Sequence, residues 1–167
     1  SGLRERQEFF VQDNVKDDEG KNLRPDVVVH GADGSLIIID SKVSLTAYSD
    51  YVGAENDEQR KVAIKANHDS IWKHVDELSK KNYDRLVENA VPIVLMFVPN
   101  EGSYILAMNH DPSLGSKAYQ KGVIIINPTN LMVVLRLIFL TWQNTRQEKN
   151  YEAIRKAAVG IYEKYTS

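Results

Sequence analysis

The sequence predicts an α/β or mixed α+β domain in which a central sheet is flanked by helices, and three observations carry that prediction. Val27 to Val29 and Leu36 to Ile39 are apolar at consecutive positions, the pattern of strands covered on both faces. Pro92 to Val98 and Val123 to Ile126 are two more buried-strand runs, closed by Pro99-Asn100 and Asn127-Pro128. Stretches of helical spacing stand between and behind these runs, so the two element types interleave. With 167 residues and no repeat, low-complexity tract or Gly/Ser linker, residues 1–167 are expected to fold as one domain.

From the amino end, Phe9 to Gln12 is expected as a short strand, and Asp13 to Asn22, rich in Asp, Glu, Gly and Lys, as a polar loop. The runs at Val27 and Leu36 then form a hairpin. A three-residue turn centred on Asp33, with Gly34 at the position needing positive φ, pairs residues whose numbers sum to 66 and sets Asp26 opposite Asp40. Asn56, with Gln59 three residues on, opens a helix to about Lys81. Ile64, Ile71, Val75 and Leu78 share one face of it, and Lys61, Lys65, Asp69 and Lys73 another. Asn127 caps a helix whose first residue is Pro128 and which runs through Leu131 to Leu140. A last helix follows Asn150.

Composition excludes several classes of function. The chain has no cysteine, so disulfides, thiol nucleophiles and cysteine-ligated metals are out, and any metal must sit on oxygen or imidazole. No apolar run approaches the ~20 residues of a membrane helix; Leu131 to Leu140 is short and carries Arg136. No membrane contact is expected of this chain, and no signal peptide opens it. The first residue, Ser1, leads us to expect a segment of a longer protein. Net charge is −2, with no global pull on nucleic acid, but residues 1–60 carry −6 while 61–82 and 140–167 each carry +2.

The residues that carry chemistry stand at the two mouths of the hairpin: Pro25-Asp26 at one, Ile39-Asp40-Ser41-Lys42 at the other. Cross-strand partners have Cβ atoms ~5 Å apart, so two carboxylates there can share one hard cation. Without a cation, two such charges repel by about 3 kcal/mol at an effective dielectric of ~20. Mg²⁺ or Mn²⁺ on Asp26 and Asp40 reverses that sign, and alternation brings Lys42 to the face of Asp40, where an amine can orient water or meet developing charge. The D/E-x-K triplet alone carries no information, since Glu19-Gly20-Lys21 is another in a loop. What distinguishes Asp40-Ser41-Lys42 is its place at the end of an apolar strand, fourteen residues after a Pro-Asp that begins one. The bland alternative is that Asp40 or Ser41 only ends the strand.

Arg24-Pro25-Asp26-Val27-Val28-Val29 followed by Ile39-Asp40-Ser41-Lys42-Val43-Ser44-Leu45 and Ala47-Tyr48 resembles the RmuC family of bacterial DNA recombination proteins, within the PD-(D/E)xK nuclease-like superfamily. The likeness runs on through His74-Val75-Asp76-Glu77-Leu78-Ser79, Lys81, Tyr83, Met96-Phe97-Val98-Pro99, Glu101, Asn127-Pro128-Thr129-Asn130-Leu131, Trp142 and Tyr162-Glu163-Lys164. The resemblance implies a restriction-endonuclease-like mixed sheet flanked by helices, hydrolysing DNA phosphodiesters with Mg²⁺ (or Mn²⁺) in recombination or rearrangement control, in the cytoplasm. It matches Asp26 and Asp40 to metal-binding acids and Lys42 to the catalytic lysine. Relatives carry an upstream Gly-Trp-Gly-Glu-like helix and a coiled coil that pairs copies. Neither is in this sequence, where Glu5 and Glu8 lack that context, so a site short of one carboxylate and an inactive segment are the expectation.

Gln12, Tyr48 and Glu101 are further candidates for substrate contact at the sheet edge. Lys61 and Lys65, with Lys73, Arg146, Lys149, Arg155 and Lys156, are candidate phosphate contacts, each otherwise a solvated surface charge. His68 and His74, six apart, lack the spacing that puts two imidazoles on one metal, and His30 and His110 stand alone. No phosphate loop, nucleophile elbow or dinucleotide fingerprint occurs. Two other readings remain: a non-catalytic DNA-binding or interaction module on the same fold, and an α/β enzyme on a small phosphorylated substrate, which requires a deep closed pocket.

Overall fold

The computed structural model describes residues 10–11, 15–16, 22–23, 27–30, 36–41, 43–81, 92–141 and 148–166. In chain order these are β1 (Phe10–Val11), β2 (Val15–Lys16), β3 (Asn22–Leu23), β4 (Val27–His30), β5 (Leu36–Asp40), α1 (Thr46–Val52), α2 (Asp57–Ser79), β6 (Pro92–Phe97), α3 (Glu101–His110), α4 (Leu114–Gln120), β7 (Val123–Ile126), α5 (Pro128–Thr141) and α6 (Glu148–Thr166). The main sheet has the order β1-β4-β5-β6-β7, with β1, β4 and β5 antiparallel in turn and β5, β6 and β7 parallel. The expected α/β class with a mixed sheet is therefore observed.

Register follows the sequence reading. Val27 pairs with Ile39, Val28 with Ile38, Val29 with Ile37 and His30 with Leu36, each pair summing to 66. The hairpin is central, as consecutive apolar positions require: its odd-numbered residues face one helical layer and its even-numbered ones the other. Val28, Leu36, Ile38, Val94 and Met96 pack with Ile71, Val75, Leu78, Ala107, Leu114 and Ala118 of α2, α3 and α4. Val27, Val29, Ile37, Ile39, Leu95 and Phe97 pack with Leu131, Leu135, Ile154 and Ile161 of α5 and α6.

Helix starts follow local chemistry. Asn56 is extended, and its Oδ1 accepts from Gln59 N at 2.9 Å, while Gln59 Oε1 accepts from Glu55 N at 2.8 Å, a reciprocal cap reaching one residue further back than the usual box. Asn100, three residues past β6, and Asn127, directly after β7, cap α3 and α5 through Ser103 N (2.9 Å) and Asn130 N (2.7 Å).

Several expectations are corrected. The polar loop at 13–22 contains β2, which pairs antiparallel with β3 through Val15–Leu23 and Lys16–Asn22. Helices α1, α3 and α4 were not foreseen, because they are short and bury few residues fully. α1 buries no residue fully, and α3 buries only Ser103 and Ala107. On α2 the buried face is Ala63, Asn67, Ile71, His74, Val75 and Leu78, leaving Ile64 half-buried. α2 ends at Ser79, two residues early, and α6 begins at Glu148, two residues before Asn150.

Candidate functional site

Because β5, β6 and β7 run parallel, their carboxyl ends share one edge of the sheet, the place where α/β sheets bind ligands. Asp40 is the last residue of β5, paired with Met96 of β6. Its even number sets it on the α2 side with Ile38, and it has no exposed surface. Ser41 behind it is also fully buried, and Val43 N donates to Ser41 O at 2.8 Å where the chain leaves the sheet. Asp26, Lys42 and Gln12 lie outside the described residues, so the observed hairpin register reaches Val27–Ile39 and the convergence of the three site residues stands as an expectation.

What the structure brings to Asp40 is His74. Its Nε2 lies 3.4 Å from Asp40 Oδ1 and its Nδ1 3.6 Å from Glu77 Oε2. Both are ion-pair distances, longer than hydrogen bonds. The His74 side chain is 9% exposed and that of Glu77 54%, so the three groups run from the interior to solvent. The sequence reading gave His74 no part in the site, noting only that its spacing from His68 does not suit a shared metal. Its spacing with Ile71, Val75 and Leu78 held the signal, for it puts an imidazole on an apolar face.

The other candidates are more dispersed. Tyr48 on α1 seats its phenol against Gly102 in the first turn of α3, where a Cβ would overlap Oη and Cζ. It therefore lies at the same edge as Glu101. Both Glu101 oxygens are engaged: Oε1 accepts from Thr129 Oγ1 (2.8 Å) and N (3.2 Å), and Oε2 from Asn127 Nδ2 (3.1 Å). Glu101 thus ties the start of α3 to that of α5. Lys61 and Lys65 are exposed near the beginning of α2, ~20 and ~14 Å along the axis from His74 at 1.5 Å per residue. They pair with Glu58 (3.8 Å) and Asp69 (2.5 Å). Arg155 and Lys156 are exposed on α6, across the sheet from Asp40.

A second polar junction joins α2 to the α3–α4 corner. His68 Nδ1 is 3.0 Å from Asp69 Oδ1 and Nε2 3.0 Å from Asp111 Oδ2, and the His110 ring meets His68 edge-on at 5.2 Å, so His110 does not stand alone. Ser113, then His68 and Lys117, hold the Asp111 carboxyl well below the usual carboxylate range. Lys65 first and His68 second lower Asp69, and Lys80 with Lys121 lowers Asp76.

Asp40 offers a hard-cation donor, a fully buried carboxyl group at a strand end. Among the described residues no three His, Asp or Glu side chains are grouped to hold an ion, so a metal at Asp40 requires donors beyond them. A groove of about 580 Å³ runs between α1 and α2, lined by Ser49, Asp50, Ala54, Gln59, Val62 and Ala66 among others; Asp40 does not line it. Among the described residues no helix is long and apolar enough to cross a membrane.

A model of the RmuC family matches residues 1–167. Over 165 residues the chain is 37% identical to the "DNA recombination protein RmuC homolog" of Vibrio cholerae serotype O1, covering 98% of this chain and 32% of that one. It is 39% identical over 163 residues to the homolog of Pasteurella multocida (97% and 32%) and 34% identical over 165 to "DNA recombination protein RmuC" of Escherichia coli K12 (98% and 35%). The chain thus spans about a third of the length of these curated relatives. No solved structure matches it significantly.

Proposed function

The chain belongs to the RmuC family, and on that premise we propose that it is a metal-dependent DNA-hydrolysing domain of the PD-(D/E)xK type, restriction-endonuclease-like in its sheet, serving DNA recombination or rearrangement control in the bacterial cytoplasm. The observation that carries this reading is Asp40: a fully buried carboxylate at the carboxyl end of the central strand, on the edge where such sheets act. Asp26 and Asp40 hold Mg²⁺ or Mn²⁺, and Lys42 orients the attacking water. The bound cation neutralises a phosphate oxygen and acidifies a water. Tyr48 and Gln12 border the DNA, and Lys61 and Lys65 reach its phosphates by exchanging their carboxylate partners for it. Copies pair through segments outside these 167 residues.

The second reading, a non-catalytic DNA-binding or interaction module, is favoured by one specific observation. His74 already supplies a partner for the buried Asp40. Divalent-metal titration of DNA cleavage, on a chain of the relatives' full length, separates the two. The catalytic reading expects metal-dependent cleavage that Asp40→Asn and Lys42→Ala abolish while DNA binding persists. DNA binding without cleavage at any metal concentration overturns it in favour of the second.

A further inference from the structure

We propose that His74 is a positioning residue for the Asp40 carboxylate, an inference that rests on the metal-dependent reading above and extends it to a residue outside the expected site. The geometry is a line of three groups on one side of the sheet. Asp40 Oδ1 faces His74 Nε2 at 3.4 Å, and His74 Nδ1 faces Glu77 Oε2 at 3.6 Å. Glu77 is in turn 4.0 Å from Lys73 Nζ, one turn earlier on α2.

Packing alone gives no reason for an imidazole at this place. Its neighbours on the buried face of α2, Ile71, Val75 and Leu78, are aliphatic, and a leucine at position 74 would bury apolar surface without the cost of desolvating ring nitrogens. His74 Nε2 is nonetheless buried and makes no hydrogen bond. It is held at ion-pair distance from one oxygen of the strand-end carboxylate, with Glu77 Oε2 3.6 Å from its other nitrogen. Outer-shell groups that hold a metal ligand in place typically govern roughly 10–100-fold in metal affinity. His74 touches the ligand rather than the reacting atoms, and its part is to fix the rotation of Asp40.

Mn²⁺ binding, read by the EPR signal of the free ion, tests this on the full chain with metal-free melting recorded in parallel. His74→Leu is expected to weaken Mn²⁺ binding about 10-fold or more. His74→Gln, whose amide reaches nearly as far as Nε2, is expected to stay near wild type even where the leucine variant melts higher. That order is the signature, because a packing role favours leucine over glutamine. If the leucine variant does not fold, His74→Asn, one bond shorter than glutamine, takes its place with the same expectation. Wild-type affinity in the leucine or asparagine variant, with binding lost in Asp40→Asn, overturns the positioning role alone. A wild-type chain that binds no Mn²⁺, or an Asp40→Asn chain that binds as wild type does, overturns the metal reading and this inference with it.

Discussion

Under α5 and α6 the sheet packs Val27, Val29, Ile37, Ile39, Leu95 and Phe97 against Leu131, Leu135, Ile154 and Ile161, whereas under α2, α3 and α4 Asp40, Asn67, His74 and Ser103 are set among the aliphatic residues of the layer. The same strands supply both faces, so the contrast comes from what each helical layer contributes. A layer built only for stability has no use for buried polar groups, which cost free energy unless each finds a partner. Among the described residues their concentration on one side marks that side as the one that handles charge, and the other as its support.

The contrast is broken most forcefully from the apolar side. Phe97 is fully buried among Ile39, Leu95, Ile126 and the α5–α6 side chains. Phe97→Ala should lower unfolding free energy by about 3–5 kcal/mol in denaturant titrations, with the Asp40–His74 contact kept in the protein that remains folded. A loss below about 1 kcal/mol would mean this face is not the close-packed support inferred here.

On the other face the expected effects come from pairing rather than volume. Ser103 Oγ donates to Asn67 Oδ1 at 2.7 Å, and Asn67 Nδ2 donates to the Ser103 carbonyl at 3.0 Å, joining α2 to α3 inside the layer. Ser103→Ala removes only one oxygen but leaves a buried acceptor without its donor, a cost of about 1–3 kcal/mol. A double-mutant cycle with Asn67→Leu should recover part of that loss. Additive losses would show that the two side chains act independently.

How much of this was legible differs between the faces. The apolar strands of the main sheet, the hairpin register and the caps at Asn56 and Asn127 follow from local rules, because apolar runs, Asn at helix starts and Pro or Gly punctuation act over a few residues. The apolar face was readable for the same reason. His74 and Asp40 are 34 positions apart, as Asn67 and Ser103 are 36, and no local rule brings them together. What was visible was a polar residue at a helical position reserved for aliphatics. Helices α3 and α4 escaped because they are short and each buries only two residues fully, Ser103 and Ala107 on one and Leu114 and Ala118 on the other, most of them small. Of the expected site, Asp40 is at the strand end foreseen for it, while Asp26 and Lys42 lie outside the described residues.

Acid should act on the polar layer first. Asp111, Asp69 and Asp76 all have folded-state pKa values below the ordinary carboxylate value, Asp111 through Ser113 first (Oγ at 2.6 Å) and His68 next. A carboxyl with a depressed folded pKa contributes stability that is present above its unfolded value, about 4, and is lost as pH falls through the folded one. Melting temperature should therefore decline below about pH 4. Ser113→Ala, by raising Asp111 toward its ordinary value, should make the decline shallower while lowering stability at neutral pH. An unchanged slope would place acid sensitivity elsewhere.

The smallest expected change lies at the sheet edge. A Cβ at residue 102 overlaps the Tyr48 phenol, so Gly102→Ala must turn that ring away from α3. The same substitution favours a helical residue by about 0.5–1 kcal/mol, and the two effects oppose, leaving net stability nearly level. The ring itself is the sensitive readout. Tyr48 and Tyr51 stack with centroids 6.2 Å apart and planes at 30°, a contact that ring-to-ring NOEs report. Gly102→Ala should weaken those NOEs and Tyr48→Phe should keep them, since the seat is steric. NOEs preserved in the alanine variant, together with the full helix gain in stability, would show that Tyr48 is not held against the start of α3.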